Sequence, residues 1–153
     1  SENVERFPSR LATFDWINYK NEKGEPKFKL AKHTENFQDV IVPGGNNIID
    51  WVDMPEEPWK IGQIFKKASD KLDGQGICFI CMQKRSYKKF PMGGEGALDY
   101  ASAFFILTYE QSISSNVLEV KKVKEPGKIN PNYKKFKFGI QNGAKLFAIE
   151  ELK

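Results

Sequence analysis

Asn46-Asn47-Ile48-Ile49-Asp50-Trp51-Val52 and, after an intervening helical pattern, Ile77-Cys78-Phe79-Ile80-Cys81-Met82 are the stretches whose reading decides the fold. The first is a short apolar run with an acid near its end, which predicts a core strand. The second is so continuously apolar that it predicts a strand covered on both faces, as in a parallel sheet. Between them, Pro58 to Leu72 sets Trp59, Ile61, Ile64, Phe65, Ala68 and Leu72 on roughly one helical face. Glu56 and Glu57 precede that face, where acids favour a helix start, and Gly74-Gln75-Gly76 stops it. Strand, helix, strand predicts a parallel crossover unit. In open parallel sheets ligands gather beyond the carboxyl ends of the strands, where Asp50 and Gln83 both fall. A carboxylate there can hold Mg²⁺ through its water shell, and an amide on the next strand can sense a terminal phosphate or position water. A strand-capping acid and an amide that satisfies loop backbone account for the same two residues equally well.

Working outward, Val4, Phe7, Leu11 and Phe14 have the spacing of a first amphipathic helix, with Pro8 in its first turn. Residues 18–34 are mostly charged, with Gly24 and Pro26 as breakers, and predict an exposed excursion. Beyond the second core strand, Ala101 to Thr108 reads as another apolar strand. Val117, Leu118, Val120 and Val123 then alternate with charged residues in an antiparallel manner. Phe136 to Ile140 and Lys145 to Ile149 flank Asn142-Gly143, a strong hairpin signal. The length suits one domain spanning 1–153, with core strands in 1–83, a loop at 84–97 and closing strands in 98–153.

No apolar run is long enough for a membrane span, and the first residues do not resemble a signal peptide, so a cytoplasmic protein is expected. Cys78 and Cys81 have Cys-x-x-Cys spacing, but an odd separation on a strand sends two side chains to opposite faces, so they read as buried free thiols. His33 is the only histidine, which leaves a histidine-based metal cluster or a Ser-His-Asp triad little to draw on. Charge is unevenly spread. Residues 1–83 hold eleven Lys or Arg against thirteen Asp or Glu, whereas residues 84–137 hold eleven against five. A polyanion is the natural partner of that second part. Its most pointed stretch is Lys84-Arg85-Ser86-Tyr87-Lys88-Lys89-Phe90, which interleaves cations with aromatics, the mixture that grips single strands by phosphate attraction and base stacking. An exposed loop whose lysines serve solubility is the plainer alternative. Gly93-Gly94 and Gly96 follow a polar stretch and read as hinge residues.

Several of these motifs, in this order, resemble the phage and prophage relatives of the DnaB-type replicative helicases. Ser1-Glu2-Asn3 resembles the family's Ser-Glu-Met. Asn47-Ile48-Ile49-Asp50-Trp51-Val52 is similar to its Walker B strand, and Cys81-Met82-Gln83-Lys84 to the strand that carries its phosphate sensor. Asn130-Pro131-Asn132 and Ile140-Gln141-Asn142-Gly143 resemble its closing strands. The resemblance implies an α/β, RecA-like P-loop ATPase core with a mainly parallel sheet, flanking helices and a C-terminal antiparallel hairpin. It implies Glu2 as catalytic base, Asp50 as magnesium ligand through water and Gln83 as sensor. Lys122 and Lys124 fall where the family places a Lys-x-Arg pair reaching a neighbouring subunit's ATP. Here the Arg is Lys, which lacks the bidentate fork, and a solvated lysine-rich strand is the alternative. The family also places a DNA-contacting loop at 84–96. Implied cofactors are Mg²⁺ and ATP, and implied partners are single-stranded DNA and other copies of the chain in a ring or filament. The chain departs from the family in having no Gly-x-x-x-x-Gly-Lys-Ser/Thr phosphate loop. A fragment of a longer DNA helicase or translocating ATPase is therefore expected, inactive and without tightly bound nucleotide by itself. A non-catalytic nucleic-acid-binding module and a structural phage protein are the alternatives.

Overall fold

Asn46–Val52 (β1) and Ile77–Met82 (β2) pair in parallel in the computed structural model, with Asn46 opposite Ile77, Ile49 opposite Ile80 and Val52 opposite Met82. The structure describes residues 14, 18–52, 54, 56–85, 87–141 and 145–153. The connection between the two strands is a 3-10 turn, Pro58–Lys60, that runs into helix α1, Ile61–Lys71. Proline in that first turn forfeits only an amide that has no helical partner there. After Leu72 turns extended, the Asp73 carboxylate accepts hydrogen bonds from the amides of Gln75 (3.1 Å) and Gly76 (3.3 Å) and directs the chain into β2. Asn47 fixes the other end of the unit. Its side-chain amide donates to the carbonyls of Val42 (2.9 Å), Gly45 (3.1 Å) and Ile77 (3.2 Å), and its oxygen accepts from the Val42 amide (2.9 Å). The turn before β1 and the start of β2 are thereby tied to one side chain.

Helix α2, Gly94–Tyr100, leads into β3, Ala103–Glu110. From there the chain folds back on itself: β4 (Ser115–Val123), β5 (Lys135–Gln141) and β6 (Lys145–Leu152) complete a four-stranded antiparallel sheet in sequence order. The expected terminal hairpin is present, with Gln141 opposite Lys145 and its turn at 142–144 outside the described residues. Asn132, in the segment before β5, pairs its side chain with Val123: its oxygen accepts from the Val123 amide (2.6 Å) and its nitrogen donates to the Val123 carbonyl (3.3 Å). That side chain extends the ladder past the end of β4.

One core joins the two sheets. Ile49 and Val52 of β1, Ile61 of α1, Ala97 of α2 and Phe104 and Ile106 of β3 are buried together. Cys78, Ile80 and Met82 of β2 pack against them, as do Ile64 and Phe65 of α1. Each fully buried large side chain of this kind contributes roughly 1.5–3 kcal/mol. The inward faces of β1, β2 and β3 thus share one helical cover. α1 and α2 approach closely, since a Cβ at buried Gly62 would stand 3.1 Å from the Gly96 carbonyl oxygen.

The RecA-like, mainly parallel core is not what forms. Among the described residues parallel pairing stops at two strands: the next strand, β3, pairs antiparallel with β4 through a short 3-10 turn at Gln111–Ile113, and its other edge is not bonded to β2. Burial of β2 on both faces is also corrected: Ile77 and Phe79 are 49% and 59% exposed, because the described helices cover one side of the sheet only. Gly94 and Gly96 lie in the first turn of α2 rather than in a hinge, so the loop predicted over 84–97 ends at Gly93. Gly93 is the position that demands glycine, with φ of +71° and a notional Cβ only 1.9 Å from the Pro58 carbonyl oxygen. Cys78 and Cys81 are free thiols on opposite faces, but the expected burial of both is corrected: Cys78 is half-buried and Cys81 exposed, because the described helices cover only one side of the strand. Burial pushes both thiols up, and the Asp50 carboxylate adds to the effect at Cys81. The predicted helix at Val4–Phe14 lies outside the described residues except for Phe14. In the charged excursion, Asn21 organises a turn by accepting the amides of Lys23 and Glu25 (both 2.9 Å) next to an isolated Lys20–Pro26 bridge.

Candidate nucleic-acid interface and strand-end acid

The polar stretch after β2 folds around two anchors. Lys84 is the first: its ammonium donates to the Lys88 carbonyl (2.8 Å) and more weakly to the Arg85 carbonyl (3.4 Å), closing the chain into a turn. The Lys88 amide closes the same turn on the Arg85 carbonyl (3.0 Å). Phe90 is the second, packed on the core with its ring edge-on to Phe104 at 6.3 Å between centroids. With both ends held, Tyr87 is driven outward and stands 71% exposed. The Arg85 guanidinium donates to its hydroxyl (3.0 Å), and the Lys88 ammonium lies 5.6 Å from its ring centroid. That hydrogen bond, helped by the Arg85 charge and then by Lys88, holds the Tyr87 phenol below its ordinary range.

Of the six residues expected to touch DNA, the structure therefore puts Arg85, Tyr87, Lys88 and Lys89 on the outside of the loop. Lys84 and Phe90 brace it from within. Lys121, which sequence reasoning missed, joins the group from β4: its ammonium lies 5.7 Å from the Phe90 ring, close to the 5.8 Å of Lys89. Lys121 also pairs with Glu119. No local pattern relates Lys121 to Phe90, because strand pairing and core packing create the contact.

At the other candidate position, the parallel register carries Asp50 and Gln83 to the same end of the β1–β2 pair, both exposed. The Asp50 carboxylate of β1 helps to raise the Cys81 thiol of β2. A carboxylate and an amide are oxygen donors of the kind Mg²⁺ takes alongside phosphate oxygens. With no glycine-rich phosphate loop in the chain, the pair does not by itself fit a nucleotide. Lys122 is turned into its own chain, donating to the Leu98 carbonyl in the last turn of α2, where a cation complements the helix end. Lys124 is exposed just past β4. Glu2 lies outside the described residues. Among the described residues no group of three or more His, Cys, Asp or Glu side chains is arranged to hold a metal, and no helix is long and apolar enough to cross a membrane.

Compared with protein-family models, curated proteins and solved structures, the chain finds no match in any of the three. The functional reading therefore rests on the geometry of the loop and of the strand ends.

Proposed function

We propose that the chain binds single-stranded nucleic acid through the loop at residues 83–90. The observation that carries this reading is the braced, outward Tyr87 ring flanked by Arg85 and Lys88. An exposed aromatic in a hydrogen-bonded turn offers a stacking surface to an unpaired base, and the surrounding cations meet the phosphates on either side. Paired bases present no free face to such a ring, so the geometry favours a single strand over a duplex. Titration of the chain with a fluorescent oligothymidine tests it. Tyr87→Ala should weaken binding roughly fivefold to a hundredfold, the range of one base stack removed. Lys88→Ala with Lys89→Ala should lower the slope of log affinity against log salt by about 0.7 for each phosphate left without its lysine. Affinity and slope that do not move in either variant would end the proposal.

A second reading is favoured by Asp50 and Gln83 sharing one strand end immediately before that loop. In it the chain is part of a DNA-translocating ATPase or helicase, with Mg²⁺ and ATP bound where other elements, or other copies of the chain, complete the site. Asp50→Asn in the complete motor should then abolish ATP turnover while single-stranded DNA binding persists. Turnover at the unsubstituted rate would sink this second reading and leave the first standing.

A further inference from the structure

Between β2 and β3 lies a slot of about 580 Å³ walled by consecutive residues of both strands, Gly76 to Met82 on one side and Tyr100 to Leu107 on the other. A pocket on a sheet face would be lined by alternate residues; consecutive ones mean that the strand edges themselves form the walls. Neither edge is paired among the described residues, since β2 bonds only to β1 and β3 only to β4. The amide of Ile77 donates towards β1, to the Gly45 carbonyl (2.9 Å), so the alternating amides of Cys78, Ile80 and Met82 face the slot. Both strands rest their inward faces on the same helical core, which places the two edges in one layer.

From this geometry we infer that the slot receives one extended strand from a partner polypeptide, fusing the two sheets into one. Main-chain donors and acceptors on two facing edges are met together by another strand, the arrangement of strand addition. The chemistry of the walls states what that strand is. Cys78, Ile80, Phe104 and Ile106 approach it on the helical side, and Phe79 and Phe105 on the outer side, so it is apolar at consecutive positions. Among the described residues Lys84 is the one charged residue on the wall, and it sits past the carboxyl end of β2, so the strand carries an acid at the end lying beside it.

The test uses the full chain and two synthetic peptides, each a run of about seven alternating Val and Ile residues with an Asp at its C-terminal or its N-terminal end and a lysine tag at the other. Hydrogen exchange should show the amides of Cys78, Ile80 and Met82 open in the chain alone and slowed at least about tenfold when one of the two peptides is added. N-methylation of either alternate set of peptide amides should weaken binding at least about tenfold, because each set bonds one wall. Sensitivity to only one set would mean addition to a single edge and would overturn insertion. Protection of those amides before any peptide is added would show the slot filled by the chain itself, and overturns the inference equally, as does the absence of binding by both peptides.

Discussion

The two sheets of this protein solve the same problem by different means. β3 to β6 follow one another in space as they do in sequence; the β3–β4 ladder closes over four residues and β5–β6 over three, so little loop entropy opposes them, while β4–β5 closes over eleven. β1 and β2 need a whole helix between them, and the unit depends on contacts made far along the chain: Asn47 on the Ile77 carbonyl, Gly93 under Pro58, and Ile49 and Val52 against Phe104 and Ile106. The antiparallel half is locally determined, whereas the parallel half is held together by its surroundings. The difference explains why the candidate chemistry gathers at the parallel half. Its strand ends and connecting loop are positioned by tertiary anchors that leave Asp50, Gln83 and Tyr87 outward.

The largest expected effect that sharpens this comparison is at Gly93. Gly93→Ala puts a Cβ into the Pro58 carbonyl and keeps an unfavourable positive φ, so the start of α2 must move away from the turn before α1. A loss of about 3 kcal/mol in denaturant unfolding is expected, with the single-strand affinity proposed for the loop falling in parallel. A loss under roughly 0.5 kcal/mol, the size of an ordinary surface change, would mean that this junction does not support the parallel half.

Asn47 and Asn132 allow a direct comparison, because each completes a strand end with its side-chain amide. Asn47→Ala strips hydrogen bonds from the Val42, Gly45 and Ile77 carbonyls and from the Val42 amide, the one to Ile77 reaching across the parallel pair. Asn132→Ala releases only the amide and carbonyl of Val123. Stability should fall by about 2 and about 1 kcal/mol at the usual net worth of such bonds, measured by denaturant unfolding. Equal falls, or the reverse order, would break the contrast between the halves.

The smallest effect concerns Tyr87. Its hydrogen bond from Arg85 holds the phenol below the ordinary tyrosine range, so in Arg85→Ala the ring should titrate at higher pH by ultraviolet absorbance. The sign for binding follows: as pH rises through the lowered value, the phenolate adds negative charge beside the phosphates and affinity falls. In Arg85→Ala that fall should come later. Superimposable titrations of the two proteins would remove Arg85 as the cause.

Within the candidate site, the sequence made the cation and aromatic content of 84–90 plain, and the acid and amide that end the two core strands. It did not show which of those residues are free to act. Lys84 and Phe90 have the same composition signal as Lys88 and Tyr87, yet one closes the turn and the other joins the core. Lys121 gave no signal because its neighbour Phe90 is brought to it by packing. Lys122, which the family resemblance set towards a neighbouring subunit's ATP with a solvated lysine-rich strand as the alternative, donates to the end of α2.

By itself the sequence determined the local elements: apolar runs at 46–52 and 77–82 became strands, the amphipathic face after Pro58 became a helix, and the segments around Asn142-Gly143 became a hairpin. Side-chain periodicity and turn chemistry act over a few residues, so they are legible there. Only the tertiary structure decided that, among the described residues, the parallel pairing stops at two strands and one face of β2 is left uncovered. Partnership between strands depends on which edge is nearest once the chain has collapsed, and β4 reaches β3 through four connecting residues while β2 lies beyond a helix.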